Sequence, residues 1–227
     1  LLAAGLGTRL RPLTDSTPKC LLPVRGVPLL AIWLDLCHRH GIDEVLINTH
    51  CHGDSVRDYL VAHQNGVKTR VVEEPVLLGS AGTLLANRDW VASESRFWVI
   101  YADVLTTANL SRMMEFHLGH KGIATLGAYE VSDPERCGIM DVDSEGRIQS
   151  FVEKPKQARS NLAFAGIMIA SARLFDLIPK TVPSDLGFHV LPRLAPEMFA
   201  YPISDYVLDI GTLGNYELAQ KGWPGLD

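Results

Sequence analysis

The chain has 227 residues, with 21 Lys and Arg against 26 Asp and Glu, a formal net charge of −5. Its 47% apolar and 21% charged residues are those of a globular protein and exclude a disordered chain. The acidic balance lacks the basic footprint of a nucleic-acid binder, and no run approaches the roughly 18 to 20 apolar residues of a membrane helix.

Leu1–Ala4 reads as the end of a buried strand, and Gly5 to Pro18, rich in Gly, Thr and Pro, as a loop. Pro28–His40 carries apolar residues at helical spacing and stops at Gly41. Glu44–Asn48 is a short buried strand, Asp54–Gln64 a helix, Lys68–Glu73 a β-branched strand, and Gly79–Asn87 a helix opened by Gly-Ser-Ala-Gly-Thr. Arg96–Ala102 is a continuous apolar run, which suits a parallel strand buried on both faces. Leu110–His120 is again helical.

The alternation changes after about Ile123. Ile123–Glu130, Gly138–Val142 and Arg147–Glu153 are strands with short links, the last two joined by the hairpin turn Asp143-Ser144-Glu145-Gly146. Ala163–Ala170 is a strand, Ser171–Ile178 and Asp185–Leu194 are helices, Tyr206–Leu208 is a short strand and Leu213–Lys221 a final helix. Strands alternating with helices of 10 to 13 residues predict βαβ units and a parallel sheet. The expected fold is therefore one α/β domain over 1–227: a doubly wound, Rossmann-like mixed sheet to about residue 122, then a more antiparallel half over about 123–227.

Four cysteines (Cys20, Cys37, Cys51 and Cys137) with no CxxC do not make a disulfide scaffold. No basic-then-apolar leader opens the chain, so a cytoplasmic location is expected. The chain begins on an apolar segment at Leu1, without Met, and its true start is expected a few residues upstream.

Two stretches carry chemistry. Gly5-Leu6-Gly7-Thr8-Arg9-Leu10-Arg11-Pro12 follows a strand, where doubly wound sheets bind ligands. Glycines there let backbone N–H groups approach a phosphate, and arginine forks match its oxygens. A dinucleotide fingerprint would need Gly where Leu10 stands, and the Gly-Lys-Ser/Thr of a P-loop is absent. In Pro18-Lys19-Cys20-Leu21-Leu22-Pro23-Val24, a Lys on a stiff backbone is a good point charge for phosphate. Taken alone, each could equally be a turn or a solvated surface.

Together, these two stretches resemble the signature of the sugar-1-phosphate nucleotidylyltransferases, and the resemblance continues in order along the chain. Gly79-Ser80-Ala81-Gly82-Thr83 is similar to that family's base-recognition loop, and Asp103 to its metal-binding Asp. Glu153-Lys154-Pro155 resembles its Glu-Lys-Pro triplet and Asp209-Ile210-Gly211-Thr212 its late Asp-Ile-Gly-Thr.

The resemblance implies a reaction in which a sugar 1-phosphate attacks the α-phosphate of a nucleoside triphosphate and pyrophosphate leaves. Such a transfer asks for positioning and charge neutralisation more than covalent chemistry. It implies that Arg9, Lys19 and Lys154 are the catalytic cations: Arg9 on the triphosphate, Lys19 on the reacting phosphates, Lys154 on the attacking phosphate. Ala3, Ala4, Gly5, Gly7 and Thr8, with Gly79, Ala81 and Gly82, would bind the nucleotide. Gly138, Glu153 and Gly166 would bind the sugar, and Asp103 and Asp209 would bind Mg²⁺, a hard cation suited to carboxylate oxygens.

Lys154 precedes Pro155, which biases its backbone to an extended form. Glu74, five residues before Gly79, is expected to read the base: a carboxylate can accept from both N1–H and the amino group of guanine, which favours GTP. The expected pair is GTP with mannose 1-phosphate. The alternatives are UTP or dTTP with glucose 1-phosphate or N-acetylmuramate 1-phosphate, or a non-catalytic subunit that senses a sugar nucleotide. Neither nucleic acid nor membrane is an expected partner, and the resemblance implies a homo-oligomer.

Departures from the family bear on the sugar. Ala102 stands where a Gly is usual before the metal Asp, and Phe164 replaces the Asn of an Asn-Ala-Gly triplet. No carboxyl-terminal β-helix extension is expected. A calcium loop beginning at Asp141 fails because its twelfth position is Val152. Zinc at His50-Cys51-His52 or at Cys37, His38 and His40 lacks a closed set of four ligands. A Rossmann oxidoreductase would need an acidic residue where Asn48 ends its strand.

Overall fold

The computed structural model describes residues 1–63 and 66–226. In chain order the strands and helices are β1 Pro23–Val24, β2 Val27–Pro28, α1 Leu29–Arg39, β3 Glu44–Thr49, α2 Gly53–Ala62, β4 Lys68–Glu73, α3 Gly79–Ala86, β5 Phe97–Ile100 and β6 Val104–Thr106. They continue as α4 Leu110–Leu118, β7 Ala124–Glu130, β8 Gly138–Val142, β9 Ile148–Glu153, β10 Leu162–Ala170, α5 Leu191–Leu194, β11 Met198–Pro202, β12 Val207–Asp209 and α6 Leu213–Gly222. The expected helix over Asp54–Gln64 matches α2, and its last residue, Gln64, lies outside the described residues. Among those residues no helix is long and apolar enough to cross a membrane.

The chain forms two compact units. The first comprises Leu1–Leu77, Tyr101–Leu110 and Asp205–Asp227, and the second Leu78–Ile100 and Ser111–Ser204.

In the first unit β3 and β4 pair in parallel over six rungs, from Glu44 opposite Lys68 to Thr49 opposite Glu73. Leu2 bridges Asn48 and Tyr101, again in parallel. This is the Rossmann-like part. Helix α1 forms because its apolar residues recur at helical spacing; Leu29, Leu30, Ile32, Trp33, Leu34, Leu36 and Cys37 are all buried. The helix ends as Gly41 takes φ 70, a left-handed angle that glycine adopts without strain. The indole N–H of Trp33 donates to the Val104 carbonyl at 2.8 Å and so ties α1 to the start of β6.

Strand β12 pairs antiparallel with β6, placing Asp209 opposite Val104. Leu105 and Ile210 are buried with Val24, Leu29, Ile32, Ala219 and Trp223 in one apolar cluster. Each large member of that cluster stabilises by about 1.5–3 kcal/mol on burial. The residues flanking Asp103 and Asp209 are therefore fixed by core packing.

In the second unit the sheet runs β11-β7-β10-β8-β9. All neighbours are antiparallel except β7 and β11. One edge of β10 is shared end to end, by β8 at Ala163 and by β5 at Ile167–Ala170. The expected hairpin turn is present: Asp143 Oδ1 accepts from the N–H groups of Glu145 and Arg147 at 3.0 and 2.9 Å.

A polar cluster is enclosed in this unit. The Gly122 N–H donates to His120 Nδ1 at 3.0 Å, so that nitrogen carries no proton. His120 Nε2–H therefore donates to Thr125 Oγ1 at 2.8 Å, and the Thr125 hydroxyl donates to His117 Nδ1 at 2.9 Å. Burial, then the neighbouring His120, push the His117 pKa down to about 4.

Four readings change. The apolar run Arg96–Ala102 is strand only over Phe97–Ile100, where β5 pairs antiparallel with β10, while Tyr101 of the same run bridges Leu2 in parallel. A continuous apolar run reports burial on both faces and says nothing of a neighbour's direction. Ser171–Ile178 is a six-residue 3-10 turn over Ala172–Leu177. Asp185–Leu194 starts as a π-helical turn, Leu186–Val190, before α5. Strands β1, β2, β6 and β11 stand where no strand is expected, and β11 pairs in parallel with β7.

Candidate active site

In the first unit the loop after Leu2 is held open by small residues. Gly7 has φ 63, and a Cβ there would lie 2.9 Å from Thr14 Cγ2, so the position admits only glycine. The Thr14 hydroxyl donates to the Gly7 carbonyl at 2.8 Å and fixes the turn. Thr8–Leu10 then forms a 3-10 turn that buries Leu10 and leaves Arg9 exposed. A pocket here is lined by Ala3, Ala4, Gly5, Arg11, Lys19 and His52, among others.

The carboxylates come next. Lys19 Nζ donates to Asp103 Oδ2 at 2.7 Å. The Ile210 N–H donates to the Asp103 carbonyl at 2.8 Å, one residue beyond Asp209. The Gly211 N–H donates to Asp209 Oδ1. A Cβ on Gly211 would lie 2.7 Å from the Arg9 guanidinium, so the missing side chain makes room for that cation. Burial, then the Asp103 charge, raise the Asp209 pKa, while Lys19, the Gly211 amide and Arg9 act against the rise. Arg9, Lys19, Asp103 and Asp209, drawn from positions 200 residues apart, thus share one electrostatic environment.

That donor set suits a hard divalent cation. Two carboxylates close enough for the charge of one to raise the pKa of the other are relieved by a cation between them. Mg²⁺ commonly takes one or two carboxylates and completes its shell with water and substrate phosphate. Among the described residues no group of three or more His, Cys, Asp or Glu side chains forms an all-protein cage.

Glu74 is 4% exposed. Its Oε1 accepts from Asn48 Nδ2 at 2.8 Å, and Asn48 Oδ1 accepts from the Ala3 N–H at 2.7 Å. The carboxylate expected to read a base therefore serves a buried protein amide.

In the second unit Gly79 has φ 77, and a Cβ would lie 2.3 Å from the Ser184 carbonyl oxygen. That oxygen accepts from the N–H groups of Ala81 and Gly82 at 3.0 and 3.1 Å. Both first-turn amides of α3 are therefore satisfied by protein, and Ala81 is buried. The Ser80 hydroxyl donates to Asp185 Oδ2 at 2.9 Å and accepts from the Leu186 N–H at 2.8 Å. Ser184 and Asp185 are thus supports that the sequence reading missed. They lie a hundred residues from their partners, and only the N-cap preference of Asp185 (it accepts from the Phe188 N–H at 3.1 Å) is visible locally.

Gly138 sits opposite Glu153 in the β8–β9 ladder. A Cβ on Gly138 or on Gly187 would lie 2.7 or 2.4 Å from Glu153 Oε2, so two glycines shape the space around this carboxylate. Burial raises the Glu153 pKa, against the pull of Lys154. Gly166 has φ 70 at an irregularity in β10 between Phe164 and Met168. The Phe164 ring meets Phe151 edge-on at 6.4 Å.

Lys154 departs from expectation. Its φ is 50, left-handed rather than extended. Its N–H donates to the Cys137 carbonyl at 2.9 Å, one step beyond the β8–β9 ladder, and that bond outweighs the bias imposed by Pro155. A non-glycine residue in this region costs roughly 1–2 kcal/mol. The ammonium lies 3.6 Å from Glu153 Oε1 and 5.7 Å from the centre of the Phe188 ring.

The nucleotidyl transferase family model matches residues 1–222. A mannose-1-phosphate guanylyltransferase of Arabidopsis thaliana is 30% identical over 223 residues, covering 95% of this chain and 62% of that protein. The catalytic subunit beta of a mannose-1-phosphate guanylyltransferase of Drosophila melanogaster is 32% identical over 216 residues, covering 93% and 58%. The chain thus spans about three fifths of the length of these relatives. Among solved structures, a UDP-glucose pyrophosphorylase from Acinetobacter baumannii superposes with a TM-score of 0.85 at 25% identity, covering 97% of this chain and 90% of that one.

Proposed function

The chain belongs to the nucleotidyl transferase family, and we propose that it couples a nucleoside triphosphate to a sugar 1-phosphate, with GTP and mannose 1-phosphate as the preferred pair. The observation that carries this reading is the grouping of Arg9, Lys19, Asp103 and Asp209 beside the glycine loop in the first unit. The choice of pair is supported by the guanylyltransferase relatives.

A phosphate oxygen of the sugar phosphate attacks the α-phosphorus. The bond from that phosphorus to the bridging oxygen breaks, and pyrophosphate departs with the electron pair. Arg9 and the Gly5–Thr8 backbone bind the triphosphate, and Lys19 offsets charge on the reacting phosphates. Asp103 and Asp209 are the residues that would hold Mg²⁺, which when bound neutralises charge on the triphosphate and the leaving pyrophosphate. Glu153 accepts from sugar hydroxyls, in the space left by Gly138. Lys154 holds the attacking phosphate and keeps it aligned.

Phe164 favours a second reading of the sugar, since a phenyl ring neither donates nor accepts where a hydroxyl-binding Asn is usual: UTP or dTTP with an amino-sugar or glucose phosphate. Homo-oligomeric assembly and a cytoplasmic setting belong to the same proposal, the latter supported by four free thiols. A pyrophosphate-release assay with GTP, UTP and dTTP against mannose, glucose and N-acetylmuramate 1-phosphates tests the whole reading. Release with GTP and mannose 1-phosphate at the highest kcat/KM supports it. Binding without release in every combination would leave a sensor rather than an enzyme.

A further inference from the structure

We propose that Glu74 is a positioning residue for the nucleotide loop, acting through Asn48, and does not read the base; this rests on the nucleotidyltransferase reading above.

The geometry is specific about direction. The Ala3 N–H can only donate, so the Asn48 atom that faces it at 2.7 Å is the oxygen. The amide nitrogen then faces Glu74 Oε1 at 2.8 Å, and a carboxylate oxygen accepts there. An asparagine turned the other way would set N–H against N–H and oxygen against oxygen. Asn48 is 3% and Glu74 4% exposed, so water does not substitute for either partner.

The backbone of Glu74 is held as firmly. Its N–H donates to the Thr49 carbonyl at 2.8 Å. Its carbonyl accepts from His50 Nδ1 at 2.7 Å, which places the proton of that imidazole on Nδ1. One buried line therefore joins the end of β4 to the end of β3 and on to Ala3. Ala3 is where the chain leaves its strand for the stretch Ala3–Leu6 that lines the pocket. Fixing the Ala3 amide fixes the peptide plane from which Ala4 and Gly5 follow.

Base reading asks something else of the same carboxylate. Accepting from N1–H and the amino group of guanine takes both oxygens of an accessible side chain. Here Oε1 serves Asn48 and the residue is almost wholly enclosed. A base could be read this way only by dismantling the support of the loop that receives its phosphates.

The test reverses the pair. Affinities for GTP and UTP are measured by calorimetry in Mg²⁺ buffer on the full chain, alongside the KM for mannose 1-phosphate. Asn48→Asp sets a carboxylate against Glu74 and should weaken both nucleotides about tenfold, with their ratio and the sugar-phosphate KM unchanged. Glu74→Gln should weaken both alike, by about threefold. With both changes in one chain the acid stands on β3 and the amide on β4, and affinity should return to within about threefold of the parent. Melting curves accompany each variant, so a lost fold is not mistaken for a lost loop.

Three results overturn the proposal. One is a shift of the GTP-to-UTP ratio of more than about fivefold in Glu74→Gln, the mark of a reading carboxylate. Another is a double variant that binds no better than Asn48→Asp. The third is a parent chain that binds neither nucleotide, which removes the functional reading itself; the first two leave that reading standing.

Discussion

Lys19 Nζ sits 2.7 Å from Asp103 Oδ2, with the lysine side chain 11% and the aspartate 34% exposed. The ammonium is the nearest counter-charge to a carboxylate assigned here to a divalent cation. On the proposed function, Lys19 balances this carboxylate before substrate binds, and the arrival of substrate and cation would exchange one counter-ion for others.

Removing that ammonium should therefore show twice. Lys19→Ala should lower turnover by roughly a hundredfold, as expected for one preorganised charge at a reacting centre. It should also destabilise the chain by about 1–2 kcal/mol at neutral pH, less than for a fully buried pair because Asp103 keeps some solvent. Added Mg²⁺ should recover more melting temperature in the variant than in the parent, since the ion replaces the lost charge. Equal Mg²⁺ shifts in both chains would refute the exchange.

The carboxylate pair gives a pH signature. Burial first and Asp103 second raise the Asp209 pKa. Its contribution to stability is thus full below the ordinary carboxylate range and is lost as pH rises through the raised value. Cation binding needs the ionised form, so Mg²⁺ affinity should climb over that same interval, and its midpoint should move to lower pH in Asp103→Asn. Each single Asp→Asn change should cost about a hundredfold or more in turnover, and the double variant far less than the product of the two. A multiplicative double variant would mean that the residues do not share an ion.

Lys154 combines the role proposed for it with a left-handed backbone angle. Lys154→Ala should raise the KM for sugar phosphate and slow turnover, with nucleotide affinity held. Lys154→Gly should do the same and also raise stability by up to about 1 kcal/mol, because glycine takes φ 50 without the Cβ penalty. The check is one melting curve and one KM for each variant. Equal stability of the two would show that the left-handed angle carries no strain.

The enclosed His117 predicts acid sensitivity. Its pKa falls from 6.5 to about 4, through burial and then His120. A depressed imidazole contributes stability above about pH 6.5 that is lost as pH falls toward 4. His117→Asn should flatten the slope of melting temperature over that window while leaving kinetics at neutral pH within the parent's range. An unchanged slope would assign the acid response elsewhere.

The sequence was most informative where a local rule decides the structure. The apolar spacing of α1, the stop at Gly41 and the Asp143–Gly146 turn are each set by residues within a few positions, and each is present. It was least informative where a partner is distant. Nothing near Phe97 announces that β5 will meet β10 antiparallel. Asn48 entered the sequence reading only as an argument against a dinucleotide fold, although an Asn ending a buried strand is a polar group that must find partners. Gly79 and Gly82 are expected ligand contacts; in the structure a Cβ on Gly79 would lie 2.3 Å from the Ser184 carbonyl oxygen, and the Gly82 amide donates to that same oxygen. A close approach to protein and a close approach to phosphate leave the same mark in a sequence.

The first unit is built from three separate stretches, the last beginning at Asp205. During translation, β6 is made about a hundred residues before β12, its antiparallel partner. A nascent chain that has already emerged through Ser204 holds every residue of the second unit, but it lacks Asp209 and the Ile210 that packs with Leu105. The carboxylate pair proposed to hold the ion is thus the last part of the proposed site to be completed on the ribosome. On the proposed function, a fragment ending before Asp209 would carry the glycine loop without that pair and is expected to be inactive in a pyrophosphate-release assay.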